Sequence, residues 1–441
     1  MTAKFKIAIC GGGIGGMCLA VALSKYPDID IMVYEAASSL REVGAGVMLW
    51  GRTWRVITLL GLDKAFRNLA GVPADGSQDP KFSWTYRRSD GGDEGHHVHT
   101  LSLPSCPMHE YHRAHVLELL ASMLPQHIVH LSKRVVSYQI DIDSSPVTIA
   151  FADGSTATCD ILVGCDGIKS AVRKTMYEDL AKAGRPEMRK YIDPVWTGET
   201  VYRALIPAER VPRLRNGMMH PVLGSPVMYC GRYKHFMGYP IARGKWANVG
   251  AFFTTPNAVG THYREPWVQE STSAELLSIF SGWELELQDV LKVIDKPLKW
   301  AIHQLLPLPT YTLGPVVLLG DAAHAMSTHH AAGAGQAFED AYVLAGILGH
   351  PSVARRNISL ALKAYEHIRL PLAAEVMSKS GKTGPMFEFR SPDSGDDYPS
   401  WVSALHRQFD WVESNDPSEQ LEAALRWMRR EEATSVVEHR L

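Results

Sequence analysis

A glycine cluster near the N-terminus constrains the fold more than any other feature of this chain. Residues 11 to 16 read GGGIGG and place Gly11, Gly13 and Gly16 at the fixed positions of a G-x-G-x-x-G pattern. An apolar run, KFKIAIC, precedes the cluster, and a helix-like segment, MCLAVALSKY, follows it. A second apolar run, IDIMVYE, ends at Glu35. The order predicts a strand, a tight turn, a helix and a second strand.

Each part of this unit has a physical role in holding a dinucleotide. The first glycine turns the chain, the second lets the backbone approach a pyrophosphate, and the third lets helix and strand pack closely. The start of the helix offers unpaired amides to phosphates. Glu35 lies about 20 residues after the cluster, where an acid accepts hydrogen bonds from a ribose. The pattern therefore predicts a dinucleotide site, without distinguishing FAD from NAD.

The amino-acid composition excludes several classes of protein. A chain of 441 residues with 46% apolar and 21% charged residues is typical of a globular protein with more than one packed unit. The formal net charge of -2 gives no reason to expect a nucleic-acid partner. No apolar run is long enough for a membrane span. The six cysteines form no C-x-x-C pair, so we expect a reduced, cytoplasmic setting and no metal site.

Two later segments repeat the arrangement of a buried strand followed by an acid. ILVGCDGIKSAVR runs from Ile161 to Arg173 and contains Asp166, and PVVLLGDAAH contains Asp321. Together with the N-terminal glycines, these blocks resemble, in kind and order, those of the single-component FAD-dependent aromatic hydroxylases, which include p-hydroxybenzoate and salicylate hydroxylases. The segment from Gly320 to Ala341 is most similar to salicylate hydroxylases and to fungal relatives that hydroxylate or dearomatise phenols.

The resemblance implies an α/β fold like that of p-hydroxybenzoate hydroxylase, in which a Rossmann-type FAD domain is interleaved with a β-sheet substrate domain and followed by C-terminal helices. We expect the FAD domain at 1–78, 104–185 and 301–382, the substrate domain at 79–103 and 186–300, and the helical segment at 383–441. That last segment either covers the flavin domain or makes a homodimer contact.

The resemblance also implies which residues hold FAD. The expected set is Gly11, Gly13, Ile14, Gly16, Glu35, Ala36, Gly46, Val47, Arg113, Val135, Asp166, Asp321, Gly333, Ala334 and Gly335. Arg113 has a plain alternative as a surface cation, and Asp321 as a helix N-cap. No second G-x-G-x-x-G follows a strand, so we expect NAD(P)H to visit the flavin without a domain of its own.

The middle of the chain, from about residue 190 to 300, reads as short β-rich runs separated by proline and glycine. Alternation along VWTGETVYRALI places Arg203 on one face and Tyr202 on the other. Arg203 would stabilise a bound phenolate and Tyr239 would hydrogen-bond to it, while His235 and Tyr202 are further candidates for substrate contact. The alternatives are a structural salt bridge for Arg203, with Glu199 as a candidate partner, and a core position for Tyr239.

The segment GDAAHAMSTHHAAGAGQAFEDA combines three histidines with many small residues. In salicylate hydroxylases the corresponding loop holds a histidine that helps to deprotonate the substrate, and His329 matches it. An imidazole suits general-base work near neutral pH. His330 stands where glutamine is common and Thr328 where proline is common; we keep His330 as a substrate-binding candidate and expect His324 to be structural.

The resemblance thus implies an enzyme that uses NAD(P)H and O2 to hydroxylate a phenol or hydroxybenzoate, with oxygen activated on reduced FAD. A dearomatising hydroxylase of natural-product biosynthesis is the nearest alternative. A flavoprotein oxidase or reductase, and a protein that only binds FAD, belong to different functional classes.

Overall fold

The computed structural model describes residues 3–40, 46–72, 81–140, 146–242 and 244–438. These residues form three sheets and a set of surrounding helices. The strands are β1 (Phe5–Cys10), β2 (Ile29–Tyr34), β3 (Gly46–Trp50), β4 (Lys81–Arg88), β5 (His96–His112), β6 (Val129–His130), β7 (Val135–Ile140), β8 (Val147–Phe151), β9 (Thr156–Cys159), β10 (Ile161–Gly164), β11 (Val195–Pro207), β12 (Val227–Gly231), β13 (Lys234–Ile241), β14 (Trp246–Thr254), β15 (Val268–Glu270), β16 (Leu298–Gln304), β17 (Thr312–Leu313) and β18 (Val316–Leu318). The helices are α1 (Ile14–Leu23), α2 (Gly51–Leu59), α3 (Asp63–Ala70), α4 (Arg113–Ser122), α5 (Ala171–Lys182), α6 (Pro221–Gly224), α7 (Ser273–Ile279), α8 (Leu285–Lys292), α9 (Asp321–His324), α10 (Gly333–Gly349), α11 (Ile358–Phe387), α12 (Tyr398–Phe409) and α13 (Pro417–Glu438).

The first sheet has the order β17-β18-β10-β1-β2-β6 and is parallel except for β17. Its central strands are buried apolar runs, as expected for strands covered on both faces. The glycine cluster makes this packing possible. A side chain at Gly16 would place its Cβ 2.1 Å from the carbonyl oxygen of Gly11, and one at Gly11 would lie 2.2 Å from the carbonyl oxygen of Cys165. Only glycine fits either position.

The second sheet has the order β15-β16-β11-β14-β13-β12-β4-β5-β3 and is mostly antiparallel. Strand β5 is long because it serves two partners: its first part pairs with β4 and its last part with β3. The connection between β4 and β5 is short, since β4 ends at Arg88 and β5 begins at His96. A third sheet, β7-β8-β9, packs against the first.

The interleaved α/β fold predicted from the sequence is thus confirmed. Three of the expected domain limits fall inside a strand or a helix, and one falls between elements. The limit at 103/104 falls inside β5, 300/301 inside β16 and 382/383 inside α11, whereas 185/186 falls after α5. The limit at 78/79 lies outside the described residues. Strands β5 and β16 pair only within the second sheet, so the limits at 103/104 and 300/301 cut strands that belong to that sheet.

A buried charge network attaches the C-terminal helices to the parallel-sheet unit. Arg369 in α11 donates to Asp340 at 2.7 Å and to Glu339 at 3.0 Å, and all three side chains are fully buried. Arg52 in α2 pairs with Glu339 at 2.6 Å and also donates to the backbone carbonyl of Trp411. The C-terminal segment therefore covers this unit, the first of the two roles expected for it. No helix in the described ranges is long and apolar enough to cross a bilayer.

Candidate active site

A cleft of about 310 Å³ opens at the carboxyl ends of the parallel strands. Gly11 follows β1, Glu35 follows β2, Cys165 follows β10 and Gly320 follows β18, and all four line the cleft. Ligands of open α/β sheets bind at this edge. Gly13 caps α1 without a side-chain hydrogen bond, so the first amides of the helix remain for a phosphate.

Most of the residues expected to bind FAD line this cleft. They are Gly11, Gly13, Ile14, Glu35, Ala36, Arg113, Val135, Asp166, Asp321, Gly333 and Ala334. Gly46 and Val47 line a second, adjoining cavity. Gly16 and Gly335 line neither. A Cβ at Gly335 would approach the Thr53 hydroxyl to 2.5 Å, so this glycine, like Gly16, serves close packing.

The two acids that follow strands act differently from one another. The carboxylate of Asp166 turns inward and accepts hydrogen bonds from Ser170 Oγ at 2.5 Å and from the Ala171 amide at 2.7 Å, which fastens the start of α5. Burial raises the pKa of this carboxyl. Asp321 is exposed and lines both cavities. The helix-cap alternative for Asp321 is wrong, because Gly320 occupies the cap position and no side chain caps the helix.

The second cavity, of about 470 Å³, lies between the mixed sheet and the loop that precedes α10. Its walls are largely aromatic and apolar, with Trp84, Phe252 and Trp300 among them. Arg113, Asp321, Gly333 and Ala334 line both cavities, which are therefore joined. An extended dinucleotide whose phosphates lie in the first cleft would place its far ring at the floor of the second. The joined cavities fit FAD.

Arg203 and Tyr239 both line the second cavity. Burial lowers the pKa of Arg203, and nearby Arg113 acts in the same direction. Arg203 makes no ion pair with Glu199, which instead contacts His329, so the salt-bridge alternative is wrong. Burial raises the pKa of Tyr239, which keeps its hydroxyl protonated as a hydrogen-bond donor.

The prediction that Tyr202 binds substrate is wrong. Its hydroxyl donates to Glu275 at 2.7 Å on the opposite face of the sheet, and the ring packs in the core beneath α7 and α8. Alternation along β11 requires this, because neighbouring side chains point to opposite faces. The same alternation brings Arg203 to the cavity.

His235 and His330 line the cavity but are held by protein groups. His235 is fully buried, stacks on Phe252 with ring centroids 4.3 Å apart, and lies 3.3 Å from Glu388. His330 contacts the Thr383 hydroxyl at 2.8 Å. Burial lowers the pKa of His330 to about 3, so its ring is neutral. Both ring nitrogens of His330 are engaged, since Nδ1 accepts from Trp411, whereas Nε2 of His235 has no hydrogen-bond partner among the described residues.

His329 lies in a short 3₁₀ turn, Thr328–His330, that ends at Ala331 in the left-handed region with φ 48°. Its Nε2 is 3.2 Å from Oε1 of Glu199, and both side chains are buried. His324 is fully buried with Nε2 2.6 Å from Asp340, which is the structural position expected for it.

Sequence reasoning missed two residues beside His329. Glu199 appeared only as a partner for Arg203, and Gly384 in α11 did not appear at all. A Cβ at Gly384 would lie 2.6 Å from the His329 ring and 2.8 Å from the Glu199 carboxylate. No local pattern reveals these contacts, because the three residues come from separate elements.

A parallel sheet whose strand ends hold a dinucleotide cleft, joined to an aromatic cavity under a second sheet, defines a flavin-dependent monooxygenase of aromatic compounds. The comparisons agree. A family profile described as "FAD binding domain" matches residues 4–191 and 284–380, and the chain belongs to that family.

Similarity to individual proteins indicates which kind of flavin-dependent monooxygenase this chain is. The chain is 34% identical to a salicylate hydroxylase of Pseudomonas putida, over 93% of this chain and 92% of the other. It is 31% identical to a 6-methylsalicylate 1-monooxygenase of Aspergillus terreus, over 95% and 91%. A solved salicylate hydroxylase substrate complex superposes with a TM-score of 0.82 at 31% identity, covering 95% of this chain and 98% of that one. The protein is an FAD-dependent aromatic hydroxylase of the salicylate hydroxylase type.

Proposed function

We propose that the protein uses NAD(P)H and O2 to hydroxylate a phenol that carries a carboxylate, with salicylate and its alkyl derivatives as the first compounds to test. One observation carries the proposal: among the described residues, those that line the aromatic cavity include two guanidinium groups, Arg113 and Arg203, and one carboxylate, Asp321, which also lines the dinucleotide cleft. Such a balance favours an anionic aromatic guest.

Each polar group has a role in preparing the substrate. Arg203 stabilises the phenolate, since a guanidinium holds its charge at any working pH. Tyr239 donates a hydrogen bond to the same oxygen or its neighbour. His329 accepts the hydroxyl proton. Loss of that proton raises the electron density of the ring carbon that is to be hydroxylated.

The residues at the dinucleotide cleft hold the cofactor. Gly11, Gly13 and the start of α1 receive the pyrophosphate, and Glu35 receives the ribose. When bound, FAD supplies the reduction of O2 and the transfer of one oxygen atom. The aromatic walls exclude water from the reacting centre, which limits loss of reducing equivalents as peroxide. Residues of this chain orient the guest, and the cofactor carries the redox chemistry.

The fate of the attacked carbon decides between two outcomes. A ring carbon that bears a carboxylate loses carbon dioxide and regains aromaticity after hydroxylation. A ring carbon that bears an alkyl group yields a dearomatised dienone, as in the alternative of a natural-product enzyme. The two charged arginines of the cavity favour the first outcome.

The test is product identification by mass spectrometry. Purified holoprotein is incubated with NADH or NADPH, air and one of three compounds: salicylate, 6-methylsalicylate or an alkylphenol without a carboxylate. We expect a catechol and carbon dioxide from the carboxylated compounds. Substrate-stimulated nicotinamide oxidation without an oxygenated product indicates an oxidase or reductase instead. An absence of flavin reduction with all three compounds and both nucleotides contradicts the proposal.

A further inference from the structure

The pair formed by Glu199 and His329 is enclosed at the edge of the aromatic cavity. The His329 side chain is 2% exposed and the Glu199 side chain 8% exposed, with Nε2 and Oε1 3.2 Å apart. The two groups are not aligned for a linear hydrogen bond, so the contact is mainly electrostatic. The other ring nitrogen, Nδ1, is buried and makes no hydrogen bond to the described residues.

The surrounding chain leaves space for this pair. Gly384 faces both groups from α11, and a Cβ there would come within 2.6 Å of the ring and 2.8 Å of the carboxylate. Real Cβ atoms do not approach other atoms so closely, so any larger residue would displace one or both groups and disturb the pair. A glycine inside a helix costs about 1 kcal/mol relative to alanine, and here the close contact explains it.

The electrostatics of both partners favour the charged pair. Burial lowers the pKa of His329, but Glu199, Glu388 and the Ser380 carbonyl together outweigh burial and leave that pKa above its ordinary value. Burial raises the pKa of Glu199, but His329, His235 and Arg390 together outweigh burial and leave that pKa below its ordinary value. The other groups that act on the pair are His235 in β13, Glu388 and Arg390 after α11, and the Ser380 carbonyl. His330, next in the loop, is neutral at working pH, since burial lowers its pKa to about 3.

We propose that Glu199 is the positioning residue of the base, which orients the His329 ring and stabilises the imidazolium formed during substrate ionisation. The inference rests on the proposed function, in which His329 takes the hydroxyl proton. The O–H bond of the phenol breaks, an N–H bond forms on the imidazole, and the electron pair stays on the oxygen opposite Arg203. The carboxylate takes no proton; its negative charge stabilises the imidazolium, as the charge of the acid does in a catalytic triad.

The first test measures the pKa of His329 without reference to turnover. Holoprotein labelled with ¹³C at histidine Cε1 is titrated by NMR, and the His329 signal is assigned by its loss in His329→Asn. We expect Glu199→Gln to lower this pKa by about 1 to 3 units, the usual effect of a close opposite charge. Glu275→Gln is the matched control, because Glu275 lies on the other face of the same sheet beside Tyr202. It should leave the His329 pKa unchanged.

The second test connects the pair to catalysis through the pH profile of kcat/KM for salicylate. The acid limb should follow the His329 pKa, so Glu199→Gln should move the limb to lower pH and reduce the plateau, because the remaining base is weaker. If Glu199→Gln does not fold, Gly384→Ala disturbs the same pair by steric contact and should shift the limb in the same direction.

The outcomes separate the inference from the proposed function. An unchanged His329 pKa in Glu199→Gln overturns the inference while leaving the base role intact. An acid limb that persists in His329→Asn shows that another group takes the proton, which places the failure in the proposed function. Shifts in both the NMR titration and the kinetic limb support the pair.

Discussion

The most direct test of the substrate site is Arg203→Met, which keeps much of the side-chain volume and removes the charge. A guanidinium 4 Å from a phenolate interacts by about 4 kcal/mol at an effective dielectric near 20, before the loss of hydration is counted. Hydrogen bonds to charged groups contribute about 1.5–3 kcal/mol net. Since about 1.4 kcal/mol changes Kd tenfold, we expect salicylate to bind about 10- to 100-fold more weakly. Arg113 stays beside the cavity and prevents a complete loss.

The assay is a titration of oxidised holoprotein with salicylate, followed by the change in flavin absorbance. Flavin content should stay at the wild-type level, because Arg203 lines the aromatic cavity and not the dinucleotide cleft. The matched control is Arg210→Met, since Arg210 follows the same strand but pairs with Asp295 on the surface. Salicylate affinity within about twofold of wild type would refute the reasoning, as would apoprotein from this variant.

Three further predictions follow from buried groups. Arg369→Met removes the guanidinium from buried Asp340 and leaves buried Glu339 with Arg52 alone, so it should lower the free energy of unfolding by about 3–5 kcal/mol, measured by denaturant titration. His330 titrates near 3 when folded against 6.5 ordinarily, so its contribution is complete above pH 6.5 and is lost as pH falls below that value. Between pH 7 and pH 5, His330→Gln should therefore lose less stability than the wild-type protein does, as measured by thermal melts at the two pH values. Tyr239→Phe should raise KM for salicylate several-fold, whereas Tyr202→Phe should not, since the two hydroxyls lie on opposite faces of the sheet. Equal effects of the two tyrosine variants would contradict the assignment.

Local pattern was enough to predict the parts of the fold that depend on local geometry. A Cβ at Gly11 or Gly16 would lie 2.2 Å or 2.1 Å from a backbone oxygen, so only glycine fits these positions. The spacing of the glycines in the sequence therefore sufficed to predict the turn. Alternation along β11 placed Arg203 and Tyr202 on opposite faces, and the error over Tyr202 came from setting that alternation aside.

Contacts between distant elements could not be read in this way. The Glu199 carboxylate of β11 contacts His329 in the loop before α10. The sequence pattern of neither segment predicts this contact. Asp166 lines the dinucleotide cleft, and nothing in the local pattern shows that its carboxylate also closes a turn onto the start of α5. Sequence spacing identified the strand end, while the direction of the side chain depended on the helix that follows.

The segment from His329 to Gly335, at the start of α10, needs small residues because several close contacts converge on it. Gly333 and Ala334 line the dinucleotide cleft and the aromatic cavity at once, so bulky side chains there would obstruct the passage between the two. Gly335 packs against Thr53, and this contact fixes the distance between the helix and α2. His329, a few residues earlier, must reach the cavity while its ring meets a carboxylate from the other sheet. Small residues therefore keep the two cavities joined, and they leave room for the imidazole of His329 to line the aromatic cavity.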